Sequence, residues 1–68
     1  MALVKYAIKK QVKKSSYFMD KRTHEAIPFS INAVIFQYEE VAKRYLKEVF
    51  PMGQDFLGNS VFIESILM

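Results

Sequence analysis

The 68-residue chain has no cysteine, one histidine, two glycines and two prolines. Without cysteine there is neither a disulfide nor a thiolate zinc site to staple the fold, so its stability must come from apolar packing or from a partner subunit. His24 has no second histidine or cysteine with which to share a metal, and it reads as an ordinary loop residue. With only Gly53 and Gly58 in the chain, no glycine-rich phosphate loop can be built. The carboxylates Asp20 and Glu25 flank Lys21 and Arg22 without forming a nucleophile and its base. A non-catalytic protein with no cofactor and no metal is therefore expected. Long hydrophobic runs are also missing, since charges interrupt every apolar stretch well before the ~18 residues of a membrane span. The start of the chain alternates apolar residues with lysines and shows no continuous apolar segment after a basic start, so a cytoplasmic, intracellular protein without a signal peptide is expected.

What the chain does have is apolar material. Half of it, 51%, is hydrophobic, including six phenylalanines and four tyrosines, which excludes a disordered chain. One domain, residues 1–68, follows from the length. Such a chain sits near the lower limit for independent folding, burying roughly 60% of the surface it exposes when unfolded. That margin makes self-association an option. The net charge of +3 is unevenly spread: Lys5, Lys9, Lys10, Lys13, Lys14, Lys21 and Arg22 meet only Asp20 in the first third, while the remainder is net acidic.

From Leu3 to Lys13 the residues alternate, with Val4, Tyr6, Ile8 and Val12 on one face and Lys5, Ala7, Lys9, Gln11 and Lys13 on the other, the period of a half-buried strand. Lys10 interrupts the apolar face and is expected to lay its stem along it while the ammonium reaches water. Lys14-Ser15-Ser16 reads as a turn and Tyr17-Phe18-Met19 as the returning strand. Glu25-Ala26-Ile27 suits a short strand that Pro28 confines to an edge. Ser60 to Leu67, rich in Val, Ile and Phe, suits a final strand buried on both faces.

The stretch PFSINAVIFQYEEVAKRYLKEVFP admits two readings. At about 100° per residue, Ile31, Val34, Ile35, Tyr38, Val41, Ala42, Tyr45, Leu46 and Val49 share one face, which predicts one long helix from Ile31 to Phe50 with Ser30 as its N-cap and Phe29 stapled on Val34. The alternative is a short buried strand through Ala33-Val34-Ile35-Phe36 followed by a shorter helix, favoured by its β-branched residues. The long helix is preferred because an entire matching face outweighs local propensity. The expected fold is thus α+β in two layers: a small antiparallel sheet, made of the N-terminal hairpin plus the C-terminal strand, packed on one long amphipathic helix.

On that helix Phe36 falls outside the apolar face, beside Lys43 and Lys47, and these three form the candidate contact with a partner protein or a second copy, so a homodimer is carried as an option. Lys5, Lys9 and Lys13, spaced about 13 Å apart along the first strand, form a basic patch with Lys21 and Arg22. Such a patch can follow a phosphate backbone, or simply keep the sheet soluble and unpaired at its edge. No aromatic stands beside the lysines along the strand, which weakens the nucleic-acid reading.

The immediate "VKYAIKK" strand, the single "EEVAKRYLKEVF" amphipathic helix and the small size resemble the accessory proteins of phages and mobile elements, many of which inhibit one host protein, anti-CRISPR proteins among them. No family motif is matched. The stretch "KKSSYFMDKRTHE" is more distantly similar to the basic sheet of the small DNA-binding domains that open some phage integrases. The resemblance implies a small binding protein that occludes a surface of a host protein; the alternative is a nucleic-acid-binding module using the basic first strand.

Overall fold

A computed structural model of the protein describes residues 3–67. The alternating N-terminal segment forms β1, Val4–Val12, which is the centre of the sheet. On one side it pairs antiparallel with β5, Ser60–Leu67, along almost its whole length, from Val4 opposite Leu67 to Gln11 opposite Ser60. Its other edge is shared by two strands. β2, Ser15–Met19, takes the C-terminal half, with Lys9 opposite Phe18, and β4, Ile35–Phe36, takes Tyr6 and Ala7. The short β3, Ala26–Ile27, adds to the outside of β2 and ends at Pro28, where a strand needing another ladder hydrogen bond could not continue. The β1–β2 turn is Lys13-Lys14, with Lys13 at φ 57°, one residue earlier than the serines suggest.

The single helix, α1, spans Glu39–Val49 and packs on the sheet face that carries Tyr6, Ile8, Met19, Val34, Val61 and Ile63. Ala42 is the helix residue buried completely, with Tyr45 and Leu46 half-buried beside it and Phe50 closing the C-terminal end. Together these make the two-layer α+β arrangement, with a shorter helix than expected.

The helix does not begin at Ile31. Residues 33–36 send their backbone groups sideways: Val34 donates to the Met19 carbonyl at 3.0 Å and accepts from the Ile8 amide at 3.0 Å, so the segment completes the sheet. Asn32, at φ 64°, and the bridge between Ala33 and Asp20 turn the chain into that position. Ser30 accepts the Ala33 amide through its carbonyl, and Phe29 stays 70% exposed, with no staple formed on the buried Val34. The apolar stripe was a mixed signal. Its first residues belong to a strand and its last to a helix, and a strand that fills a gap beside β1 satisfies more backbone groups than an extra helical turn exposed to water. The helix instead starts after extended Tyr38, with Glu39 and Glu40 in its first turn at the positive end of the dipole.

The final strand forms over Ser60–Leu67 but is not buried on both faces: Glu64 and Ser65 are exposed, and Leu67 is 72% exposed. Among the described residues no helix is long and apolar enough to cross a membrane.

Candidate functional site

α1 covers only part of its sheet face. Beyond Ile8 the same face of β1 continues with Lys10 and Val12, and there the covering layer is replaced by two loops, residues 23–26 and residues 55–59. Between them lies a groove of about 300 Å³, floored by Lys10 and Val12 and backed by Phe50. The His24 ring packs against Phe50 with centroids 5.7 Å apart, which holds the first loop to the end of the helix.

The second loop is organised by one carboxylate. Asp55 Oδ1 accepts the amides of Leu57 at 2.9 Å and Asn59 at 2.8 Å, and Oδ2 accepts from Lys10 Nζ at 2.8 Å and Asn59 Nδ2 at 3.2 Å. Lys10 therefore does not reach water as its sequence context suggests. Its side chain is 8% exposed and that of Asp55 4%, because a carboxylate waits beneath the loop at the point the ammonium would otherwise have to pass. Burial on its own would raise the Asp55 carboxyl; the Lys10 ammonium, the Asn59 amide and side chain, and the Leu57 amide outweigh it and hold the group at about 2. Gly58, at φ 82°, closes the turn by donating to the Asp55 carbonyl at 3.1 Å.

This scaffolding presents two large apolar side chains to solvent. Phe56 is 100% exposed and Leu57 85% exposed, both at the rim of the groove. A buried ion pair and a ring of hydrogen bonds hold in place a loop whose tip contributes nothing to the core. Neither residue stands out in the sequence on its own; the signal that could have found them is Asp55 with Gly58-Asn59, an Asx turn around two bulky apolar residues.

The residues singled out from sequence are distributed differently. Phe36 lies on β4 and faces the core, its ring 5.2 Å from that of Tyr45, while Lys43 and Lys47 stay on the solvent side of α1, with Lys43 3.3 Å from Glu39. Lys9 is not a free cation: its Nζ lies 2.8 Å from Glu64 and 4.7 Å from the centre of the Phe18 ring. Lys5 is half-buried opposite Ile66, and Lys13 belongs to the turn. Lys21 and Arg22 are exposed on a loop that Asp20 orders by accepting the amides of Arg22 at 2.7 Å and Thr23 at 3.0 Å, and those two amides, Thr23 first, lower the Asp20 carboxyl.

The sheet face away from α1 does bring aromatics to one of the lysines, Lys9. Phe18 of β2 and Phe62 of β5 stand on either side of Lys9 in one cross-strand row that ends at Ile27. Those rings come from neighbouring strands, so alternation along β1 alone could not show them.

Comparison with known proteins returns nothing: no family model, no curated protein and no solved structure matches the chain.

Proposed function

We propose that this is a small non-catalytic binding protein that occludes a surface of a partner protein, with Phe56 and Leu57 as the anchor. The observation that carries the reading is the fully exposed Phe56 on a loop fixed by the buried Lys10–Asp55 pair. Aromatic anchors on rigid supports supply a large share of interface energy because little conformational entropy is lost on binding. The partner surface has an apolar depression for Phe56 and Leu57 and acidic residues around it. Exposed Lys13 and Lys14 follow groove residue Val12, and exposed Lys21 and Arg22 precede groove residue Thr23, so two basic turns flank the opening. The resemblance to phage and mobile-element accessory proteins makes the partner a host factor and the outcome its inhibition.

The test is capture from a nuclease-treated bacterial lysate by the wild-type chain and by Phe56→Ser. A protein retained by the wild type and lost by a variant with an unchanged thermal transition supports the reading. Equal retention by both moves the contact elsewhere. A second reading, nucleic-acid binding, is favoured by the Phe18–Lys9–Phe62 row, since aromatics flanking a lysine can stack bases beside a phosphate contact. Glu64, paired with that lysine, opposes it.

A further inference from the structure

The sheet ends on one side in an unguarded strand. Among the strands β5 pairs with β1 alone; residues 53–54 cover the start of its far edge through the Gln54–Ser60 bridge, and beyond Val61 that edge faces solvent over the exposed residues Glu64, Ser65 and Leu67. In an antiparallel ladder successive residues direct their backbone groups alternately to the two sides. The Val61 amide points away from β1, donating to the Gly53 carbonyl at 2.9 Å, so the backbone groups of Ile63, Ser65 and Leu67 point the same way. Among the described residues none of these three donates to a partner on that side. Natural edges are protected by lysine, proline, bulges or brevity. This edge has none of them, and its one charge, Glu64, is already neutralised by Lys9.

We propose that this edge pairs with the same edge of a second copy, giving a two-fold dimer in which the two sheets run on as one. The occupant follows from the edge itself. An antiparallel strand edge is complementary to its own copy in hydrogen bonding, and pairing about a two-fold axis buries both unsatisfied rows at once. The basic turns at Lys13-Lys14 and Lys21-Arg22 lie just before and just after β2 and are not brought face to face along β5.

The chemistry also selects the register. Continuing the sheet with both helix faces on the same side requires the axis to pass at a residue position, and bonding requires outward-pointing residues opposite one another. An axis at Glu64 sets Leu67 opposite Val61, whose amide is already taken by the Gly53 carbonyl, so the Leu67 groups go unmatched. An axis at Ile63 requires the Val61 amide, which Gly53 already occupies. An axis at Ser65 leaves Ser65 opposite Ser65 of the second copy, Ile63 opposite Leu67, and Glu64 opposite Ile66, with every outward group of the three matched. It also covers the exposed Leu67 with an apolar neighbour.

Sedimentation velocity on the full chain, from micromolar to millimolar concentration, tests this. Twice the chain mass is expected for the wild type and for Phe56→Ser, and the chain mass for Ser65→Pro and Ser65→Lys. Proline at Ser65 removes an outward donor and leaves the β1–β5 ladder intact, and lysine there restores the missing guard while keeping every amide. Because the chain has no cysteine, a short bismaleimide should couple Ser65→Cys chains into dimers and leave Lys13→Cys chains uncoupled. A wild type that stays monomeric throughout overturns the proposal and leaves the edge to a strand of another protein. A dimer that survives Ser65→Lys with unchanged mass, or that couples at Lys13→Cys and not at Ser65→Cys, overturns it equally.

Discussion

At the scale of single residues, Lys10 and Asp55 decide the most. A buried ion pair is seldom a net source of stability, because desolvation offsets the attraction, yet removing one partner strands the other. Here the stranded group would be Asp55, which also holds the Leu57 and Asn59 amides. Lys10→Ala is expected to cost about 3 kcal/mol, read as a lowered midpoint in urea, and Lys10→Met less if the thioether packs in the same channel. The pair also sets an acid limit. Folding lowers the Asp55 carboxyl from 3.8 to about 2, so its contribution is complete above 3.8 and is lost as pH falls through about 2. Asp55→Asn should lose stability at neutral pH and show a flatter acid limb than the wild type. A wild-type melting temperature unchanged between pH 4 and pH 2 would contradict the assignment.

At the scale of elements, the stretch from Pro28 to Pro51 shows how one apolar stripe can serve two structures. Phe36 looked misplaced on a helix and is at home on β4, where its ring meets Tyr45. Phe36→Ser is accordingly expected to destabilise the protein by about 2 kcal/mol, from lost burial and a hydroxyl set among apolar groups. A substitution within about half a kcal/mol of wild type would return Phe36 to the surface. Tyr45→Asp should have a larger effect, since burial already disfavours a charge there, raising the phenol. The first strand and the helix from Glu39 onward were legible because each carries its own period, the returning hairpin strand because it follows a turn, and the final strand because of its β-branched and aromatic content. The helix start was not, because it depends on the gap that β2 leaves along β1, which is a property of the assembled sheet. The Phe56 loop was hidden for a related reason: Asp55 and Lys10 are far apart in sequence, and it is their pairing that fixes the backbone carrying Phe56 and Leu57.

At the scale of the molecule, one helix cannot cover two sheet faces, and the uncovered face brings Phe18, Lys9 and Phe62 together. Whether that row reads nucleic acid depends on what the lysine does when a phosphate arrives. Glu64 must be displaced from Lys9 first, and the ammonium already lies against the Phe18 ring, where it blocks a stacking base. Lys5 on the same face is half-buried, and Lys13 has left the strand for the turn. The expected outcome is weak binding of single-stranded and duplex oligonucleotides at physiological salt, with a shallow dependence of log affinity on log salt, well short of the slope of about −0.9 per phosphate that several engaged lysines would give. Glu64→Gln frees Lys9 and should steepen that slope by up to about one unit, and Phe62→Ala should leave it unchanged while lowering single-strand affinity. Fluorescence anisotropy across a salt series on wild type and both variants measures this. Sub-micromolar wild-type binding at physiological salt, lost on Phe62→Ala, would make the open sheet face the principal site and displace the Phe56 loop from that role.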